Sequence, residues 1–181
     1  MNLEEKTVSS ETVFKGRIIT LKNDVAILPD GSEATREFIE HPGGVCVVPL
    51  TDKNEVLMVK QFRYPYKETV LEIPAGKKDP EEDPFTTGKR ELKEETGAEA
   101  QEYIDLGQLY PSPGYCGEII WMYGAKGLTY GDADPDADEF LEVEKIPLNS
   151  AVEMVINGEI KDAKTQAAIL KIHYLVNNGK F

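Results

Sequence analysis

The fold of this chain is decided by residues 76–98, which read GKKDPEEDPFTTGKRELKEETGA. The second half of this stretch begins with Asp83, a favourable helix N-cap, and Pro84, whose missing N–H costs little at the first helical position. Gly97 suits the left-handed residue that ends a helix. The stretch therefore predicts a helix over residues 84–96.

Acidic side chains gather on one face of this predicted helix. At ~100° per residue, Glu91 and Glu95 lie about 40° apart, and Glu94 lies about 60° to the other side of Glu91. Such a group of carboxylates suits a hard divalent cation, Mg²⁺ or Mn²⁺. It also suits a solvated surface on which Arg90 and Glu94 form an i,i+4 ion pair. The spacing alone leaves both interpretations open.

Residues on both sides of this helix favour strands. Before it, extended apolar runs separated by turn signals predict strands at residues 18–28, 34–40, 45–50, 56–62 and 69–73. After it, strands are predicted at 103–109, 119–125 and 139–146, with helices at 150–157 and from Asp162 onward. This pattern predicts a mixed α/β (α+β) sandwich. A boundary at Pro42 separates an N-terminal strand segment, residues 1–42, from a main domain, residues 43–181.

The 181-residue chain is acidic, with 33 Asp and Glu against 20 Lys and Arg, and 40% of its residues are hydrophobic. Such a composition can bury a core, and its negative charge disfavours nucleic acid as a partner. Two Cys and two His at unrelated positions do not predict a zinc site. No apolar run reaches the roughly 20 residues that span a bilayer, and the first residues do not resemble a signal peptide. We therefore expect a cytoplasmic protein with no membrane partner.

A second acidic segment occupies residues 132–145. It begins like an EF-hand loop at Asp132, but the sixth position is Ala137 where that loop needs Gly, and the twelfth is Val143 where it needs Glu. We expect a mobile acidic loop there instead.

Residues 76–98 resemble the signature of the Nudix hydrolases, G-x5-E-x7-R-E-U-x-E-E-x-G-U, in which U is a bulky apolar residue. The matching residues are Gly76, Glu82, Arg90, Glu91, Leu92, Glu94, Glu95 and Gly97. Only the last position, the small Ala98, is a weak match. The resemblance implies the family's αβα sandwich with a mixed sheet, in which a loop and helix hold divalent metals against a diphosphate.

The resemblance implies a site for Mg²⁺, with Mn²⁺ as the alternative and two or more ions per site. Glu91 and Glu95 look like metal ligands, and Ala75 would add its backbone C=O. Glu94 looks like a carboxylate that contacts a metal directly or through water.

Two other charged positions have implied roles. Arg90 looks like the cation that orients the helix glutamates, paired with Glu82 across the loop, and a fold-stabilising pair is compatible with that role. In the loop before the last strand, Glu139 looks like the acid that activates the attacking water or completes the metal shell. Asp138 and Asp136 remain candidates for the same role.

Three features are similar to the ADP-ribose pyrophosphatase branch of the family: Pro113, the run QFRYP at 61–65 and the run EIPAG at 72–76. By this resemblance, the substrate-binding residues are Arg36, Arg63, Glu72 and Phe14. The arginines would hold phosphate or the terminal ribose, because a guanidinium makes bidentate contacts with phosphate. Phe14 would stack on adenine, although a phenylalanine in such a strand can also simply pack.

The implied reaction is Mg²⁺-dependent hydrolysis of ADP-ribose to AMP and ribose 5-phosphate. One alternative is a pyrophosphatase for another nucleoside diphosphate sugar, such as a hexose or GDP-linked one. Another is a non-catalytic sensor of ADP-ribose, for which we expect a degraded motif and a basic extension; this sequence shows neither. The branch also implies a homodimer that exchanges N-terminal strands, which gives residues 1–42 a role.

Overall fold

The computed structural model of the protein describes residues 2–137 and 139–181. These residues form ten strands and three helices. The strands are β1 (Lys6–Lys15), β2 (Thr20–Ile27), β3 (Glu33–Glu40), β4 (Gly44–Pro49), β5 (Glu55–Arg63), β6 (Glu68–Glu72), β7 (Ala75–Lys77), β8 (Ala98–Leu109), β9 (Ile120–Tyr130) and β10 (Leu141–Pro147). The helices are α1 (Pro84–Thr96), α2 (Leu148–Ile156) and α3 (Ala163–Asn177). No helix among these residues is long and apolar enough to cross a membrane.

The chain divides into two compact units, and the first consists of Met1–Gly43 and Tyr110–Ile119. Its strands form an antiparallel sheet in the order β1-β2-β3. The later segment joins this sheet at Ile39, whose N–H donates to the Tyr115 carbonyl at 2.8 Å and whose carbonyl accepts from Gly117 at 2.9 Å. That residues 1–42 act as a dimerisation segment stays a prediction.

The second unit, Gly44–Leu109 and Ile120–Phe181, contains two sheets. One is mixed, in the order β7-β4-β9-β8, with β4 and β9 parallel and the other pairs antiparallel. The other is antiparallel, in the order β10-β5-β6. The chain therefore has the mixed sheet that the sequence predicts.

Strand β4 lies at the centre of the second unit, and every one of its residues is buried. Because side chains alternate along a strand, Cys46 and Val48 face one side of the sheet and Val47 faces the other. Cys46 and Val48 belong to an apolar cluster that includes Ile169 of α3, whereas Val47 clusters with Leu92 of α1. Helices α3 and α1 thus cover opposite faces of the mixed sheet, which confirms the αβα sandwich.

Several elements differ from the sequence-based expectation. The sequence gives no signal for β1, because Val8, Val13 and Phe14 do not alternate regularly with polar residues, and every residue of the strand is exposed. The short β7 follows Pro74, where the sequence predicts the end of a strand. Helix α2 begins at Leu148 and not at 150, because Leu148 is buried and its N–H donates to the Asn54 carbonyl at 2.9 Å. Strand β10 begins at Leu141, so Glu139 precedes the strand that was predicted to contain it.

Candidate active site

Helix α1 has the two ends that the sequence predicts. The Asp83 side chain accepts a hydrogen bond from the Thr86 N–H at 3.1 Å, which satisfies a donor of the first turn. At the other end Gly97 is left-handed, with φ of 68°, and its N–H donates to the Lys93 carbonyl at 2.7 Å. These caps fix where α1 starts and stops, and therefore which of its side chains face the sheet.

Arg90 joins the loop before α1 to the acidic face of the helix. Its Nε and Nη2 donate to the carboxylate of Glu82 at 3.2 and 3.1 Å, so the pair expected from the sequence is present. Its Nη1 lies 2.7 Å from Glu94 Oε2 and 2.9 Å from Glu91 Oε1. The Thr87 hydroxyl also donates to Glu82, at 2.8 Å. Arg90 thus holds three carboxylates in one arrangement, and its hydrogen bonds to Glu82 are the main reason that its pKa is raised.

Glu91 and Glu95 lie on the buried face of α1, beside strand β7. Only 8% of Glu91 and 1% of Glu95 is exposed. The Glu91 carboxylate approaches the backbone of Gly76 so closely that a Cβ at that position would overlap it. The Glu95 carboxylate accepts a hydrogen bond from the Ala75 N–H at 3.0 Å. The backbone of strand β7 therefore packs against both carboxylates and positions them.

Both carboxylates are difficult to ionise. Burial raises the pKa of Glu91 to about 7, with a contribution from Glu139, while Arg90 opposes the rise. Burial also raises the pKa of Glu95 to about 8, with contributions from Glu91 and Glu139, while the Ala75 N–H opposes it. Simultaneous ionisation of Glu91 and Glu95 is therefore unfavourable unless a cation binds between them.

The oxygen donors at this position fit a hard divalent cation. Across the described ranges, no three His, Cys, Asp or Glu side chains are already grouped as a metal site. Mg²⁺, however, is commonly bound through one or two carboxylates and completes its shell with waters and substrate phosphates. Glu91 and Glu95 supply two buried carboxylates with raised pKa values. The pair suits Mg²⁺ or Mn²⁺ held together with a phosphorylated ligand.

Comparison with known families identifies this arrangement. Residues 40–168 match the NUDIX domain. The chain belongs to the Nudix hydrolase family. Residues 5–39 match a second family, described as the nucleoside diphosphate sugar hydrolase N-terminal domain. This range contains β1, β2 and most of β3.

Two relatives of this Nudix hydrolase match over nearly their whole length. The chain is 42% identical over 170 residues to the ADP-ribose pyrophosphatase of Bacillus subtilis, covering 93% of this chain and 92% of the relative. It is 41% identical over 168 residues to the methanol dehydrogenase activator of Bacillus methanolicus, covering 92% and 91%. A crystal structure described as an ADP compounds hydrolase superimposes with a TM-score of 0.86, covering 100% of both chains at 22% identity, and this likeness shows the shared fold.

The acidic loop of the Nudix domain is tied to the end of α1. The N–H of Gly131 donates to the Gly97 carbonyl at 2.8 Å, and the N–H of Asp134 donates to the Glu94 carbonyl at 2.9 Å. The sequence predicts a mobile loop here, and these bonds anchor its first part to the helix that carries the acidic pair.

Glu139 lies farther along this loop. Its side chain is exposed, and its N–H donates to the Asp136 carbonyl at 2.8 Å. Its charge is close enough to raise the pKa of both Glu91 and Glu95. Asp138, the neighbouring candidate for the catalytic acid, lies outside the described residues.

Arg63 and Glu72, predicted to bind substrate, contact each other. Arg63 Nε and Nη2 donate to the two Glu72 oxygens at 2.6 and 2.7 Å. Lys164 of α3 also donates to Glu72. Burial opposes ionisation of Glu72, but the hydrogen bonds from Arg63 and the charge of Lys164 outweigh it and lower its pKa. Sequence reasoning missed Lys164, because nothing in its spacing distinguishes it from a surface lysine of α3.

The other predicted substrate residues belong to the first unit. Arg36 on β3 donates to the carboxylate of Glu5 through Nε and Nη2, both at 2.8 Å. Phe14 on β1 is 56% exposed and pairs in register with Leu21 of β2. Pro113 lies in an exposed turn of the segment that joins this sheet. Their roles toward substrate stay predictions.

Proposed function

We propose that this Nudix hydrolase cleaves the diphosphate of ADP-ribose, with Mg²⁺, to give AMP and ribose 5-phosphate. The observation that carries the proposal is the buried pair Glu91 and Glu95, held against β7 with raised pKa values. ADP-ribose is favoured as the substrate by the 42% identity to the Bacillus subtilis ADP-ribose pyrophosphatase over most of both chains.

In this proposal, two or more Mg²⁺ ions, or Mn²⁺ in their place, are held by α1 and the segments around it. The ligands are the Ala75 carbonyl, Glu91 and Glu95, and Glu139 joins them if it completes the metal shell instead of activating the water. When bound, the metal would polarise the phosphorus and lower the pKa of the attacking water. Glu94 contacts a metal ion directly or through water. Arg90 keeps the helix glutamates in position through its ion pairs with Glu91 and Glu94.

The proposed roles of the remaining residues concern the proton and the substrate. Glu139 accepts the proton of the attacking water, and its exposed position on the loop leaves it accessible to that water. Arg63 binds phosphate or the terminal ribose, and its two bonds to Glu72 fix the plane of its guanidinium. Arg36 is proposed to make a similar contact, and Phe14 to stack on adenine.

A second candidate is a pyrophosphatase for another nucleoside diphosphate sugar. The description of the family that matches residues 5–39 favours it, because that family is named for nucleoside diphosphate sugars in general. The same α1 site would serve this reaction, since the diphosphate is common to both substrates. The two candidates differ only in the groups attached to that diphosphate.

A substrate panel separates these candidates. Purified protein with Mg²⁺ is incubated with ADP-ribose, ADP-glucose and GDP-mannose, and the products are separated by ion-exchange chromatography. We expect the highest kcat/KM with ADP-ribose, with AMP and ribose 5-phosphate in equal amounts. A higher kcat/KM for either hexose derivative would transfer the proposal to that substrate.

We further propose that the protein is a cytoplasmic homodimer assembled through its N-terminal sheet. Strand β1 exposes Val8, Val13 and Phe14, each by more than half, and a three-stranded sheet needs a hydrophobic face or a packing partner for independent stability. Sedimentation equilibrium is expected to give twice the chain mass of 20.2 kDa. A monomer at all concentrations would contradict this part of the proposal.

A further inference from the structure

A cluster of four charges joins β5, β6 and the start of α3. Glu72 is 1% exposed and accepts hydrogen bonds from Arg63 and Lys164. Lys164, whose side chain is 10% exposed, also lies 3.1 Å from Asp162 Oδ1. Two carboxylates and two cations thus balance one another in a mostly buried position. Arg63, with 37% of its side chain exposed, is the most accessible member of the cluster.

The start of α3 is fastened to the end of β6 by a second contact. The Asp162 side chain caps α3 by accepting from the Thr165 N–H at 2.9 Å. The Thr165 hydroxyl in turn accepts from the Ile73 N–H at 3.0 Å. The backbone that carries Lys164 is therefore anchored to the end of β6, and the Lys164 ammonium group reaches Glu72 from this fixed start of α3.

The charge balance determines what Arg63 can offer a ligand. With Lys164 present, the cluster carries no net charge, and Arg63 can share its positive charge with a phosphate. Without Lys164, the buried carboxylate of Glu72 and the half-buried carboxylate of Asp162 outnumber the single remaining cation. Glu72 would then compete with an anionic substrate for Arg63, and it would lose the contact that fixes its own oxygens.

We propose that Lys164 is a positioning residue for the substrate diphosphate: it fixes Glu72, and Glu72 presents the guanidinium of Arg63 to the substrate. This inference rests on the proposed function, in which Arg63 contacts the phosphate or the terminal ribose. Lys164 itself contacts no reacting atom. The charge of Lys164 also lowers the pKa of Glu95, so its effect on the substrate is isolated when the metal is saturating. A contact that holds the ground state and the transition state equally then changes KM more than kcat.

The test compares Lys164→Met with a matched control, Lys161→Met. Lys161 also joins the residues before α3 to β6, through an exposed ion pair with Glu68 at 2.8 Å. At saturating Mg²⁺, Lys164→Met is expected to raise KM for ADP-ribose by about 10- to 100-fold, the usual effect of losing a charged hydrogen bond, with kcat changed much less. Lys161→Met should keep the KM of the wild type.

The second arm of the test asks whether Lys164 acts through Arg63. In an Arg63→Ala background, Lys164→Met should raise KM little further, because the group that it positions is already absent. If Lys164→Met raises KM by the same factor with and without Arg63, or leaves KM unchanged in the wild-type background, the proposal is overturned.

A variant with paired substitutions covers the case in which Lys164→Met does not fold. Glu72→Gln combined with Lys164→Met removes both buried charges and avoids an uncompensated carboxylate. Its KM is compared with that of Glu72→Gln alone: the same KM supports the proposal, because Lys164 acts only through Glu72, and a further rise in KM overturns it. If the wild-type protein turns over no ADP-ribose, the proposed function fails and this inference fails with it. If the wild type is active and the effects on KM are additive, only the inference fails.

Discussion

At the residue scale, the chemistry depends on two carboxylates whose burial lowers the stability of the metal-free protein. Glu91 and Glu95 are shielded from water, and burial raises the pKa of each. A buried carboxylate that lacks a full counter-charge destabilises the metal-free protein. This arrangement is suited to a site that binds a cation together with a diphosphate. The two carboxylates lack a full counter-charge, and they therefore attract a divalent cation.

The first prediction concerns Glu95→Gln. This change removes a proposed metal ligand and one of two repelling charges, so we expect kcat to fall at least about 100-fold. The melting temperature of the metal-free protein should stay the same or rise. Steady-state kinetics and circular dichroism melting measure the two effects. The matched control is Glu99→Gln, an exposed residue paired with Lys93, which should keep wild-type activity. A wild-type kcat for Glu95→Gln would contradict the proposal that Glu95 is a metal ligand.

The second prediction concerns pH. The pKa values of Glu91 and Glu95 rise from an ordinary 4.5 to about 7 and about 8 in the folded chain. Carboxyls with raised pKa values stabilise the fold below the unfolded pKa, and this contribution is lost as pH rises through the folded values. In EDTA, the free energy of unfolding from urea titrations should therefore fall between pH 5.5 and 8.5.

The double variant Glu91→Gln/Glu95→Gln is the control for this pH dependence. It should show a flatter profile over the same range, because neither amide titrates. An unchanged slope in the double variant would mean that other groups cause the loss of stability.

The third prediction concerns the catalytic base. If Glu139 accepts the proton of water, Glu139→Gln should lower kcat by ~10²–10⁴ with little change in KM. If Glu139 acts mainly as a metal ligand, the loss should shrink as Mg²⁺ is raised. Asp138→Asn, made alongside, decides which residue carries the role. A crippled Asp138→Asn together with an active Glu139→Gln would shift the assignment by one residue. If both variants are active, the base lies on α1 or the metal alone activates the water.

At the element scale, helix α1 and strand β7 form the site together. The helix is fixed at Asp83 and Gly97, and β7 presents Gly76 and the Ala75 N–H to its acidic face. Gly76 is needed because of close approach: its lack of a Cβ lets the Glu91 carboxylate lie against the strand. The glycine that opens the Nudix pattern thus has a steric explanation in this chain.

The fourth prediction follows from that contact. In Gly76→Ala, the new methyl group would displace the end of the flexible Glu91 side chain, so the stability loss should be small. Because a 1 Å misplacement can cost ~10²-fold in rate, we expect a large loss of kcat with a nearly unchanged melting temperature. Gly131→Ala is the control, since the one described atom within 4 Å of its Cβ would be the Gly97 carbonyl oxygen, at 3.8 Å. Full activity of Gly76→Ala would show that the position of Glu91 is not critical.

Local signals made α1 and its acidic face predictable from the sequence, because caps and helical spacing act within a few residues. Elements that form only through contacts with distant parts of the chain could not be predicted in this way. Strand β1 has no regular apolar alternation, and β7 is three residues long and exists through its pairing with β4. Lys164 meets Glu72 only after the chain has folded, across a separation of 92 residues. The sequence therefore located the acidic pair and left its neighbours on other elements to the structure.

At the scale of the whole molecule, the net negative charge opposes the approach of an anionic substrate. The chain carries a formal charge of −13, and its proposed substrate is also an anion. The divalent ions of the proposal would reverse the local charge where the two meet. The central claim is thus that the α1 carboxylates hold Mg²⁺ for cleavage of a diphosphate.

Phosphorus-31 NMR of ADP-ribose with the purified protein tests this claim most directly. With Mg²⁺, the diphosphate signals should disappear and two phosphate monoester signals, from AMP and ribose 5-phosphate, should grow in equal intensity. Excess EDTA should stop the change, renewed Mg²⁺ should restore it, and Glu91→Gln/Glu95→Gln should abolish it. Diphosphate signals that persist in Mg²⁺ and Mn²⁺, or cleavage that continues unchanged in EDTA or in the double variant, would contradict the account.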